Sequence, residues 1–190
     1  VYLQEGVELC WPRIAYLING DFFAHEITGM PIVIVCDVNG TIRAFYNACR
    51  HRDMRIALGE GNCRRLTCSY HSWTYATDGA LAATPMIEED DSLQHAALSL
   101  LLLRLECWHG FLFVTFDDAA APLLDWLGDV PENCTGYGPK NMVCTRRVSW
   151  DVAANWKLHF EKFNDFSAHP LHPSRYLKPV NSLRTQALHP

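Results

Sequence analysis

The chain has no hydrophobic run long enough to cross a bilayer, no excess of basic residues, and no Asp or Glu after Asp165. Its longest apolar stretch, 96–103, is interrupted by Ser99 and stopped by Arg104. A membrane-spanning helix needs roughly 20 such residues. Sixteen Lys and Arg against 21 Asp and Glu leave a net charge of -5, so the composition offers no basic stripe for the phosphates of a nucleic acid. The opening "VYLQEGVELCWP" lacks the basic and then apolar build of a secretory signal, and its first residue, Val, leaves room for residues upstream. These absences predict a cytoplasmic protein with neither a membrane nor a nucleic-acid partner.

What is present is ordinary for a globular chain: 190 residues, 49% hydrophobic and 12% aromatic. Eight cysteines could form a disulfide scaffold, but a chain this long and this apolar builds a core without staples. Two of them, Cys49 and Cys68, have histidines at ligand spacing. The other six (Cys10, Cys36, Cys63, Cys107, Cys134 and Cys144) read as free thiols in a reducing compartment, small apolar residues in effect.

From about residue 30 to 116 the texture is β. "PIVIVCDVNGTIRAFYNAC" places two β-branched or alternating runs on either side of Asn39-Gly40, a tight-turn signal. "SWTYATDGALAA" repeats the device at Asp78-Gly79, and "LSLLLLRLECWHGFLFVTF" reads as two strands joined at His109-Gly110. Many short strands with regular turn signals predict a small antiparallel barrel or sandwich. After Phe116 the chain reads as a connector rich in Pro and Gly, with a short helical spacing at Leu123, Leu124 and Leu127. A strand and an amphipathic helix starting near Ala153 follow. The expected division is a β domain over 1–116, a connector over 117–147 and the opening of another domain over 148–190.

Cys49-x-His51, sixteen residues and then Cys68-x-x-His71 give four ligands in two close pairs. Such pairs, each on a tight loop, bind a metal centre. Structural zinc is one occupant, and it asks nothing of its surroundings. A 2Fe–2S cluster with two Cys on one iron and two His on the other is the second. Each loop then supplies one ligand to each iron, which ties the loops together. Gly59 and Gly61 would let the intervening chain turn, and Tyr70 and Trp73 would limit solvent access.

"FYNACRHR", "GEGNCRRLTCSYHSWTY" and "DGAL" resemble the Rieske domain of the large (α) subunit of Rieske non-haem iron ring-hydroxylating oxygenases. The usual wording is close to Asn-x-Cys-x-His-Arg-Gly and Cys-Pro-Tyr-His-Gly-Trp-x-Tyr. Here Asp53, Ser69 and Ser72 stand for the first Gly, the Pro and the second Gly. The resemblance runs from about residue 11 to 173. It implies a mainly β fold, a Rieske-type antiparallel domain followed by the start of an α+β catalytic domain. It also implies a Rieske 2Fe–2S cluster on Cys49, His51, Cys68 and His71.

"ANWKLHFEKFNDFSAHPLHP" resembles the start of the catalytic domain of the same family. There two histidines and a distant carboxylate hold a mononuclear Fe(II) with open positions for O₂. The resemblance makes Asp165 the bridge to the Rieske histidine of a neighbouring subunit, and His169 and His172 the iron ligands. Ala168 stands where the first histidine is expected, so His169 is one position late. His159, nearby, reads as a packing or surface residue. The third ligand has no candidate, because 166–190 contains no carboxylate, and the simplest expectation is a longer chain. The family further implies a reductase or ferredoxin as electron donor, an organic and mostly aromatic substrate with O₂, and a homo-oligomer (a trimer) with or without a β subunit. The rival reading is a Rieske ferredoxin-like electron carrier with no oxygen chemistry, which has no need of "ANWKLHFEKFNDF".

Overall fold

The computed structural model describes residues 7–11, 17–85, 95–142, 152–155 and 157–158. The chain divides into two compact units, Val1–Thr145 and Arg146–Pro190. Ten strands run through the described part of the first: β1 (Val7–Trp11), β2 (Asp21–Ile27), β3 (Met30–Cys36), β4 (Ile42–Tyr46), β5 (Glu60–Asn62), β6 (Arg65–Thr67), β7 (Thr74–Ala76), β8 (Leu81–Ala83), β9 (Leu102–Trp108) and β10 (Phe111–Thr115). They form a seven-stranded sheet in the order β1-β10-β9-β4-β3-β2-β5 and a three-stranded sheet β6-β7-β8. Every pairing is antiparallel. The chain is mainly β, as expected.

Strand β3 shows how the sheet feeds two cores. Ile32, Val33, Ile34 and Val35 are all buried. Their side chains leave the strand on alternate faces because the strand period is two. Ile32 and Ile34 pack with Phe23, Leu103, Leu112 and Val114. Val33 and Val35 pack with Phe45, Leu66, Trp73 and Tyr75. A strand covered on both faces reads as a continuous β-branched run, and each of these burials contributes about 1.5–3 kcal/mol. The second of these cores also contains Cys49 and Cys68, so the candidate metal loops are rooted in it.

The hairpins differ in detail from expectation. Asn39-Gly40 lies in a five-residue connection rather than a two-residue turn, since Cys36 pairs with Ile42. Buried Asp37 organises it by accepting the N–H groups of Asn39 (2.8 Å) and Thr41 (2.9 Å) and the Nε–H of Arg43 (2.9 Å). Two-residue turns occur at His109-Gly110 (φ 49 and 87), the expected junction, and at Thr28-Gly29 (φ 49 and 86), which was not expected. Positive φ at both central residues matches the right-handed twist of the flanking strands. Gly79 turns with φ +91, and a Cβ there would lie 2.5 Å from Cε1 of Phe45. Close packing demands glycine at that position.

Strands β1 and β2 precede residue 30, where the β reading begins. "DFFAHEI" alternates only in part, which hides it from a period-two reading. The stretch expected to be a connector contains α1 (Leu123–Leu127) and α2 (Val130–Cys134). Leu123 and Leu127 pack against Phe113, with Trp108 and Phe111 beside them. The Glu106 carboxylate accepts the Leu123 N–H, and Arg104 donates to the Ala120 carbonyl. In the second unit the helix starts later than Ala153. Residues 152–155 are not helical, 157–158 are, and Oδ1 of Asn155 accepts the Lys157 N–H at 3.0 Å as a cap. The expected strand before it lies outside the described residues. Among the described residues no helix is long and apolar enough to cross a membrane.

Candidate metal centre

Two loops leave the second core side by side. The first follows β4 and carries Cys49 and His51; the second joins β6 to β7 and carries Cys68 and His71. Both cysteine side chains are inside, at 1% and 2% exposure, while both imidazoles are partly exposed. The rings of His51 and His71 meet edge to face with centroids 4.7 Å apart. The four residues singled out by spacing are thus brought together, sulfur side buried and imidazole side at the rim.

Each loop closes on its cysteine. The Cys49 N–H donates to the Met54 carbonyl (2.9 Å), and the Asp53 N–H donates back to the Cys49 carbonyl (2.8 Å). In the second loop the Cys68 N–H donates to the Trp73 carbonyl (2.9 Å), and the Ser72 N–H to the Cys68 carbonyl (3.0 Å). Asp53 and Ser72 both have a left-handed backbone, with φ +52 and +58. These are the two places where the chain carries a side chain in the position of a motif glycine.

Side chains from elsewhere grip the first loop. Asn47, 2% exposed, accepts the N–H groups of Ile56 and Ala57 at 3.0 Å each and donates Nδ2–H to the Ala57 carbonyl at 2.8 Å. The Tyr75 hydroxyl accepts the Arg50 N–H at 3.0 Å and lies 3.4 Å from the Cys49 sulfur. With one lone pair on the amide, the hydroxyl hydrogen is free to point at the sulfur. Burial pushes the Tyr75 phenol well above its usual range, the Cys49 contact adds to this, and the Arg50 N–H opposes it. Trp73 leaves the second loop and stacks on the His51 ring (4.9 Å, 11° between planes). It is buried, whereas Tyr70, 56% exposed, lies over His71 with centroids 3.8 Å apart.

The donor set fits a two-iron cluster. Nδ1 of His71 is buried without a hydrogen-bond partner, an arrangement that costs about 1–3 kcal/mol unless a ligand satisfies the atom. Burial, followed by the charges of His51 and Arg52, holds the His71 imidazole below its usual range, toward the neutral form that binds metals. Cys49 and Cys68 are free, as are Cys36, Cys63, Cys107 and Cys134. Among the described residues no three His, Cys, Asp or Glu are placed to hold a single ion. A cluster of two irons asks only two protein ligands of each.

Residues 9–109, more than half of the chain, match the Rieske [2Fe-2S] domain, and the chain belongs to that family. Relatives extend the likeness beyond the domain. The chain is 29% identical to the carnitine monooxygenase oxygenase subunit of Acinetobacter pittii (strain PHEA-2), over 91% of its own length and 46% of that protein's. It is 33% identical to the biphenyl 2,3-dioxygenase subunit alpha of Rhodococcus jostii (strain RHA1), over 76% and 33%. The crystal structure of the quaternary ammonium Rieske monooxygenase CntA with an inhibitor superposes with a TM-score of 0.79 at 27% identity, covering 88% of this chain and 48% of that one. Naphthalene 1,2-dioxygenase with indole bound gives 0.64 at 29% identity, over 69% and 30%. The chain therefore spans less than half the length of these relatives. Its likeness to them is to the N-terminal part of oxygenase large subunits.

Asp165, His169 and His172 lie outside the described residues. Gly59 turns as expected (φ +64), but Gly61 sits in β5, paired with Phe22. Its bare Cα lets the Phe22 ring approach, since a Cβ would meet that ring at 3.3 Å. Ligand spacing does not single out Asn47 and Tyr75, although both stand in the stretches "FYNACRHR" and "SWTY". Their roles depend on contacts across 10 and 26 residues, which local spacing does not encode.

Proposed function

We propose that the chain is the electron-entry part of an O₂-dependent oxygenase, with Cys49, His51, Cys68 and His71 as the ligands of its 2Fe–2S cluster. The observation that carries this reading is the pairing of two buried cysteines with two partly exposed imidazoles whose rings are 4.7 Å apart. The cluster, when bound, supplies reversible one-electron transfer at a potential raised by its two imidazole ligands. The protein's own contribution is arrangement. Cys49 and Cys68 anchor the site inside the core, Tyr75 fixes the Cys49 end of the first loop, and Trp73 sets the plane of the His51 ring. The outer nitrogens of His51 and His71 are then available to a partner's carboxylate.

The β domain over 1–116 receives electrons from a reductase or ferredoxin, and 117–147 connects it to the catalytic part that begins at 148. Asp165 carries the contact to the neighbouring subunit's Rieske histidine, a task suited to a carboxylate that accepts from two ring N–H groups. His169 and His172 hold the mononuclear Fe(II), with their carboxylate partner elsewhere, in a cytoplasmic homotrimer with or without a β subunit. The reaction is hydroxylation of an organic substrate. Names such as biphenyl and naphthalene dioxygenase support an aromatic one, while carnitine monooxygenase supports a quaternary amine.

Iron, zinc and acid-labile sulfide analysis tests the cluster directly. Two irons and two sulfides per chain are expected, with both lost in Cys68→Ser. One zinc and no sulfide would sink the reading. For the oxygenase step, Asp165→Asn should leave the cluster spectrum intact and cut coupled turnover of the full-length enzyme. Unchanged turnover would remove Asp165 from the path.

A further inference from the structure

The two ligand loops share one closing pattern but not one level of support. The first is locked by buried groups, since Asn47 holds Ile56 and Ala57 and the Tyr75 hydroxyl holds the Arg50 N–H. Among the described residues, 69–72 of the second loop are held by no buried side-chain hydrogen bond of that kind. The Ser72 carbonyl accepts the Thr74 hydroxyl at 3.0 Å, and Thr74 in turn meets the Thr67 hydroxyl at 3.2 Å, both at exposed positions. Ser69, Tyr70 and Ser72 are exposed.

The turn residues differ as well. A left-handed backbone disfavours a residue with a Cβ by roughly five- to thirtyfold, and Asp and Asn are the residues that tolerate it best. Glycine avoids that cost but loses roughly two- to fivefold through the greater freedom of its open state. For Asp53 the two effects nearly cancel. For Ser72 the strain wins, by roughly three- to tenfold.

We infer that Ser72 is a positioning residue whose strained turn makes the Cys68–His71 loop the half of the site that opens first, and so sets how quickly the cluster is lost. The inference rests on the ligand assignment proposed above. Opening at Ser72 breaks the Ser72–Cys68 and Cys68–Trp73 closures together, because both depend on the same reversal of the chain. The first loop keeps its buried clamps through that event.

The test follows the bleaching of visible absorbance when the full-length purified protein is held with an iron chelator. Ser72→Gly should lengthen the half-time roughly three- to tenfold, Ser72→Asn should lengthen it less, and Ser72→Val should shorten it. Asp53→Gly and Asp53→Asn should stay within about twofold of the parent. The midpoint potential and the melting temperature of the β core should follow none of this order, which separates a loop-positioning role from general stability. Equal slowing by Asp53→Gly and Ser72→Gly, or no slowing by Ser72→Gly, overturns the inference. A parent protein without two irons and two sulfides overturns the ligand assignment beneath it instead.

Discussion

Replacing Asn47 by alanine probes the buried support of the first loop. Asn47 makes three side-chain hydrogen bonds, at 2.8, 3.0 and 3.0 Å, to the backbone of Ile56 and Ala57. Each contributes about 1 kcal/mol net, and a buried donor left without a partner costs about 1–3 kcal/mol. Ala57 is itself buried, so its N–H gains little from water when the amide is gone. A loss of about 3–4 kcal/mol follows, a large part of the 5–15 kcal/mol that holds a typical domain together. Urea unfolding of the purified protein, with Asn47→Ala beside the parent and exposed Thr67→Ala as a control, measures this as a lower midpoint at unchanged slope. Asn47→Asp keeps the acceptor for the two N–H groups but sets a carboxylate oxygen against the Ala57 carbonyl, so it should recover only part of the loss. A shift below about 1 kcal/mol, no larger than the control's, would refute the argument that Asn47 carries the loop.

Further outcomes follow from the same geometry. Gly79→Ala forces a Cβ against Phe45 at a left-handed position and should cost about 2–3 kcal/mol, read as a clear drop in melting temperature. A variant that melted with the parent would mean the ring can step aside. Tyr75→Phe removes the hydroxyl from the Cys49 sulfur. With the cluster held by Cys49 as proposed, a hydroxyl donating to that sulfur would favour the more negative reduced form, so spectroelectrochemistry should show the potential falling by about 40–60 mV, given 59 mV per tenfold for one electron. A rise would show that the contact does not act on the sulfur. Burial pushes the Asp37 carboxyl up, but the Thr41 N–H, Arg43 and the Asn39 N–H outweigh it and hold it below the usual range. Its contribution is therefore full above the unfolded pKa of about 3.9 and is lost as pH falls through the lower native value. The urea-midpoint gap between parent and Asp37→Asn should narrow as pH drops from 5 toward 3. A constant gap would exclude the charge as its cause.

Much of the architecture was legible because it is local. Asn39-Gly40, Asp78-Gly79 and His109-Gly110 each punctuate the strands with a glycine at positive φ. The β-branched run of β3 marks a strand covered on both faces, and the candidate ligand pairs stand two and three residues apart within single loops. Strand β1 was missed because its partner, β10, lies far along the chain, and β2 because its residues alternate only in part, although it forms a tight hairpin with β3. Asn155, polar and two residues before Lys157, is the cap that moved the helix start beyond Ala153.

By itself the sequence determined which atoms are available: two thiols, two imidazoles, their spacing and the turns that present them. Tertiary structure decided how they meet. It buried Cys49 and Cys68 in one core, left His51 and His71 at its rim, and brought Trp73 and Tyr75 across to the first loop, one onto His51 and the other beside Cys49. The physical reason is that ligand identity is a property of single residues, whereas burial and support come from packing between strands far apart in the chain. Asp53 and Ser72 show the difference most plainly. In the sequence they are two substituted glycines, and in the fold they are two left-handed turns with unequal support.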